Sequence, residues 1–131
     1  MDRGKPNKPS RVVAKTYRDL VAWQVSMELV AEIYRLAARL PSIERYGLAS
    51  QLRRAAVSIP LNIAEGFGRQ SHREFSRFLV IALASLREVQ TLIELVAMLG
   101  YESDEALSSP TNLADRTGFL VHRLRKSVAA P

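Results

Sequence analysis

Arg69, Arg73 and Arg77 recur at four-residue intervals, a spacing that on a helix lines three guanidinium groups along one side. A planar, permanently charged fork in that arrangement suits the recognition of phosphates. Arg53 and Lys15 add further positive charge, so Arg53, Arg69, Arg73, Arg77 and Lys15 are the candidate nucleic-acid contacts, made to backbone phosphates. The competing reading is a solvated face on which Glu65 and Glu74 neutralise the arginines. No aromatic-rich stacking platform is apparent, so the expected binding is salt-dependent with little sequence preference.

Other chemistries find little support. The two histidines, His72 and His122, have no partner at metal-ligand spacing, and the Glu-x-x-His motif of di-metal helical proteins is missing. Their expected role is surface or capping. Ser58, Ser71 and Ser76 lack an evident base, and without cysteine there is neither a thiolate nucleophile nor a disulfide. Gly66-Phe67-Gly68 resembles a dinucleotide loop only superficially, since it follows a helix and lacks a third glycine. It reads as a tight helix–helix turn. An anion bound nearby would sit at the N-terminus of the next helix, beside Arg69 and Arg73. No catalytic residue, metal or cofactor is implied, and no small-molecule substrate is evident. The expectation is a protein that is not an enzyme.

Helices must position these groups. Leu20, Trp23, Met27, Val30, Tyr34 and Ala37 follow a 3,4 repeat and predict a first helix from about Asp19 to Leu40, closed by Pro41. Leu29, Ile33, Leu36 and Leu40 form a second stripe beside it. Two stripes imply either burial on two sides, against the rest of the chain and another subunit, or one broad core-facing arc.

The second helix is expected from Ile43 to Glu65. Leu48, Leu52, Ala55, Ile59 and Ile63 make its apolar face, and Gln51, Arg54, Ser58, Asn62 and Glu65 make a polar stripe. Pro60 lies within it and cannot donate to the Ala56 carbonyl, a penalty of roughly 3 kcal/mol unless the helix kinks or restarts. The stripe is then a structural network in which Asn62 or Ser58 satisfies that carbonyl and Arg54 pairs with an acid. The alternative is a ligand-facing groove. Gly66 and Gly68 are expected to end the helix as a left-handed cap.

Ser71 and Glu74 form a capping-box pattern at the start of a third helix. Its 4,3 repeat, Phe75, Leu79, Ala82, Leu86, Val89, Ile93 and Val96, runs until Gly100 stops it. Ser109 as cap and Pro110 at the first position predict a fourth helix to about Lys126. No strand pattern is present. The fold class is all-α, an up-down antiparallel left-handed four-helix bundle.

The chain has 131 residues, enough for one domain, with a formal charge of +6. Arg3, Lys5, Lys8, Arg11, Lys15 and Arg18 against Asp2 leave +5 on residues 1–18. A disordered basic tail is therefore expected over 1–16 and a helical domain over 17–127. Residues 45–77 carry +4, whereas 88–115 hold six acids and no base. No apolar run approaches the ~20 residues of a membrane span, and the N-terminus has no signal-peptide core. A soluble cytoplasmic protein follows as the expectation.

The run QLRRAAVSIPLNIAEGFGR at Gln51–Arg69 combines with Trp23-Gln24, IYRLAARLP at Ile33–Pro41 and REFSRFLVIALASLRE at Arg73–Glu88. Together these resemble the bacterial four-helix family first described from reading frames in 23S rRNA intervening sequences, also called S23 ribosomal-protein-like. The resemblance spans about Tyr17 to Lys126. It departs from the family pattern at Ala84, where glycine is common, and in the short proline-containing approach to the last helix. It implies non-enzymatic cytoplasmic bundles assembled as ring-shaped homopentamers, with a related branch, the accessory protein of diversity-generating retroelements, that binds nucleic acid and a reverse transcriptase. A ring repeating a weak basic patch gains affinity for RNA or DNA through effective concentration. The expected function is a nucleic-acid-binding adaptor, and the alternative is a protein-interaction scaffold with no direct nucleic-acid role.

Overall fold

The computed structural model describes residues 14–129. Most of the expected tail, residues 1–13, lies outside the described residues. Lys15 and Thr16 are part of an ordered start. The Thr16 hydroxyl caps a 3-10 turn, Tyr17–Asp19, and the Asp19 carboxylate accepts from the Lys15 and Thr16 N–H groups at 2.8 and 3.2 Å. Those donors, Lys15 first, hold the Asp19 carboxyl below the usual carboxylate range.

Four helices follow: α1, Val21–Arg39; α2, Leu48–Phe67; α3, His72–Met98; and α4, Ser108–Ala129. No strand occurs among the described residues. Each helix packs on the next, and α1 also packs on α4. Leu29, Ile33 and Leu36 of α1 meet Leu52, Ile59 and Ile63 of α2, Leu79, Leu86 and Val96 of α3, and Val121 of α4 in one core, all fully buried. The buried hydroxyls of Ser26 and Thr117 each donate within their own helix, to Trp23 O and Leu113 O at 2.8 Å. Their desolvation cost is thereby offset without a cross-helix partner.

In α1 the buried seam is the stripe Leu29, Ile33 and Leu36, continued by Leu40. Met27 and Tyr34, in the other stripe, are 45% and 46% exposed. The two stripes are equally apolar, so the placement of α2 and α4 decides between them.

The second helix begins at Leu48, not Ile43. Pro41 leads into a 3-10 turn, Ser42–Glu44, and the N-cap residue Gly47 offers no side chain. Glu44 supplies the missing acceptor. Its Oε1 takes the Leu48 N–H at 3.1 Å and its Oε2 takes the Tyr101 hydroxyl at 2.7 Å. These bonds, the backbone one first, keep the Glu44 carboxyl below its ordinary value, and the carboxylate in turn raises the Tyr101 hydroxyl.

Through Pro60, α2 continues as one helix to Phe67. Neither Gly66 nor Gly68 provides the expected left-handed cap; Gly68 has φ −77° and ψ −5°. Gly66 is instead buried at a helix crossing. A Cβ built there would lie 2.8 Å from Phe78 Cβ and 2.9 Å from Phe75 Cδ1. The left-handed glycine is Gly100, φ +78°, which ends α3 with Gly100 N–H on Ala97 O and Tyr101 N–H on Val96 O, both at 3.0 Å.

At the start of α3 the Ser71 hydroxyl accepts from the Glu74 N–H at 3.1 Å. The Glu74 carboxylate turns to Arg77. The fourth helix starts at Ser108, so Pro110 falls within its first turn, where a missing N–H costs little. The Ser109 hydroxyl donates to Glu32 at 3.2 Å rather than capping. That bond and the Arg39–Glu102 pair at 3.1 Å bring the end of α1 beside the start of α4. No helix among the described residues is long and apolar enough to cross a membrane.

Gly66→Ala is expected to lower the melting temperature by several degrees. The overpacking cost of about 1–3 kcal/mol exceeds the ~1 kcal/mol gained in helix propensity. Gly68→Ala meets nothing nearer than 3.6 Å and serves as the tolerant control in the same thermal scan. Glu44 makes a second, pH-dependent prediction. Its folded pKa is depressed, so its stabilisation is present above the unfolded value and is lost as pH falls through the folded value. Melting curves across the acid range should show a smaller loss in Tyr101→Phe than in the parent.

Candidate nucleic-acid interface

The turn after α2 and the first turns of α3 carry Arg69, Arg73 and Arg77, all exposed. Phe78 organises two of them. The Arg69 and Arg77 guanidinium carbons lie 4.9 and 4.8 Å from its ring centroid. Each is also paired with a carboxylate: Arg69 Nη2 is 2.7 Å from Glu65 Oε2, and Arg77 Nη2 is 3.3 Å from Glu74 Oε1. Solvent-exposed pairs of this kind contribute about 0–1 kcal/mol, and an exposed cation–π contact about 0.5–1 kcal/mol. The arginines are oriented without being sealed off. Arg73 enters no ion pair among the described residues.

Arg125 Nε donates to Ser76 Oγ at 3.4 Å. That contact lays the end of α4 on the second turn of α3 and brings Arg123, Arg125 and Lys126 to the same end of the molecule. These three were missed in the sequence. Residues 116–126 carry Arg116, Arg123, Arg125 and Lys126 with no acid, a charge count that would have flagged them. The start of α1 lies at this end as well, because its other end is fixed beside the start of α4. Lys15 and Arg18, both exposed, come with it. Glu44, Glu102, Asp104 and Glu105 gather at the opposite end, where Arg39 and Arg45 offset part of their charge.

Arg53 stands apart. It is half-buried in the second turn of α2 with its guanidinium 6.0 Å from the Tyr34 ring centroid. About 20 Å of helix separates it from Arg69, at 1.5 Å per residue.

The polar stripe of α2 divides into parts. Ser58 Oγ lies 2.7 Å from Ser85 Oγ of α3, and Asn62 Nδ2 donates to Ser58 O and Ser58 Oγ at 2.8 and 3.0 Å. The Asn62 amide thus serves the Ser58 carbonyl, not that of Ala56. Gln51 and Arg54 are exposed, Glu65 is engaged by Arg69, and Arg54 is in no ion pair among the described residues. Arg53, Arg54, Ser58 and Asn62 line an open groove of about 490 Å³ with Tyr34, Val57 and Leu61. His72 and His122 are exposed, and no cluster of metal-ligating side chains occurs among the described residues.

Four helices with a buried glycine crossing at the SIPLNIAEGFGR core define the class of protein. The chain belongs to the 23S rRNA-intervening sequence protein family, whose model matches residues 18–123. Among solved structures it is similar to a protein of unknown function from the S23 ribosomal protein family of Bacteroides thetaiotaomicron VPI-5482. The two are 27% identical with a TM-score of 0.75, over 81% of this chain and 99% of that one. No curated protein matches the chain.

Asn62→Leu removes the donor that Ser58 uses twice and should cost about 1–2 kcal/mol of stability. Thermal unfolding measures this, and an unchanged melting temperature would show that the Ser58–Asn62–Ser85 bonds are not structural.

Proposed function

We propose that this protein is a non-catalytic cytoplasmic adaptor that binds RNA or DNA through backbone phosphates. In this reading the four helices form an up-down antiparallel left-handed bundle, and copies assemble into a homo-oligomer, most simply a pentameric ring. The observation that carries the reading is the Arg125–Ser76 contact, which merges the cations of α3 and α4 into one end of the fold. Arg69, Arg73, Arg77 and the α4 cations supply the phosphate contacts, with Lys15 beside them. Arg53 and the groove around it play no part in this end; the exposed Tyr34 of α1 and Leu61 of α2 line that groove. Those apolar residues are available for subunit contact. Repetition of the basic end around an oligomer raises affinity without any new contact.

The test is fluorescence anisotropy of a structured RNA and a matched DNA duplex across salt, with oligomer mass measured on the same sample. Affinity should fall steeply with salt. Arg73→Ala should weaken binding of both probes alike and lower the log–log salt slope by about 1. Absence of binding at low salt, together with a stable protein partner, would favour a protein-interaction scaffold in which the acidic end is the docking surface.

A further inference from the structure

Phe119 is 60% exposed, on the outward face of α4. Single exposed apolar residues are ordinary on protein surfaces, but the surroundings of this one are not. Arg116, Arg123 and Lys126 share its face at helical spacing, one turn before it and one and two turns after. The Arg123 guanidinium carbon stands 5.6 Å from the ring centroid. No acid follows Arg116 in α4; Asp115, one turn before Phe119, accepts from Gln90 Nε2 of α3 at 3.2 Å, and Arg116 also borders a groove with Glu28 and Glu32 of α1. Of the other exposed aromatics, Tyr46 follows Arg45 in the connection between α1 and α2, and Tyr34 lies in the α1–α2 groove with Arg53. Phe119 is therefore the exposed ring with a guanidinium beside it on its own helix and three cations against one acid on its face.

We propose that Phe119 is a stacking platform for an unpaired base of single-stranded nucleic acid, with Arg116, Arg123 and Lys126 holding the flanking phosphates. The proposal rests on the nucleic-acid reading above and narrows it to a ligand class. A phenyl ring offers a flat apolar face of base size, and the guanidinium beside it can stack on the same base or bind its phosphate. Base–aromatic stacking tolerates any sequence because every base has a π-face. A paired base in a duplex does not present that face. The site should thus separate single strands from duplexes, which the phosphate contacts of α3 do not.

The experiment compares a labelled oligouridylate with a duplex of matched length, both titrated with the full chain and with Phe119→Ala and Phe119→Trp. Phe119→Ala should weaken single-strand binding roughly 5- to 100-fold and leave duplex binding within about twofold. Phe119→Trp should restore single-strand affinity, and its emission should be quenched when oligouridylate binds. Equal loss on both probes, or loss on neither, overturns the stacking role while leaving phosphate binding in place. A change in oligomer mass in Phe119→Ala also overturns it, assigning the ring to a subunit contact. If the parent protein binds neither probe at low salt, the nucleic-acid reading falls first and the platform falls with it.

Discussion

The missing side chain at Gly66 sets the distance between α2 and α3, and the geometry of the basic end follows from that distance. Any β-carbon at this position would collide with Phe78 Cβ and Phe75 Cδ1. With hydrogen there instead, Phe67 packs edge-on against Phe75 at 5.9 Å. The turn from Gly68 to Ser71 can then be short, and α3 starts close beside the end of α2. Phe78 is left half-buried beneath Arg69 and Arg77. A wider crossing would draw the ring inward or strip it of one guanidinium, so a backbone contact in the core governs where surface charge is held.

The same interface is pinned in register by a polar contact. Most of the buried surface shared by α2 and α3 is aliphatic, which resists separation but tolerates sliding. The Ser58–Ser85 hydrogen bond, reinforced by Asn62, is directional and partly buried. Such a bond loses its partner if either helix shifts by a turn. Ser26 and Thr117 differ, because each spends its hydroxyl inside its own helix and says nothing about its neighbours.

The four helices were legible in the sequence because the first three carry a sustained 3,4 pattern bounded by a proline, a glycine or a capping serine, and Pro110 marks the first turn of the fourth. The family was legible as well, since a proline and two nearby glycines within a helical rhythm form an unusual run. What could not be read locally depended on partners. The stripe Trp23, Met27, Val30 and Tyr34 is as apolar as Leu29, Ile33 and Leu36, and only the placement of α2 and α4 buries one and leaves the other half-exposed. Gly66 reads as a terminator in the sequence because small size for a turn and small size for a contact look alike in one chain. The start of α2 has no local signal because its cap comes from Glu44, four residues upstream, in place of a neighbouring Ser or Asp. For the candidate site, Arg69, Arg73 and Arg77 were visible as a ladder. Their junction with α4 was not, because Arg125 and Ser76 are 49 residues apart.

The separation of Lys15, Arg69, Arg73, Arg125 and Lys126 from Glu44, Glu102, Asp104 and Glu105 has a physical meaning beyond contact. Charges of opposite sign at the two ends of an elongated body form a permanent electric dipole along its axis. In the field of a polyanion such a body feels a torque before it touches anything, and it turns its positive end forward. The torque is screened over a Debye length of about 8–10 Å at physiological ionic strength. Orientation would therefore be acquired in the last few solvent layers of the approach, shortening the rotational search that otherwise limits association.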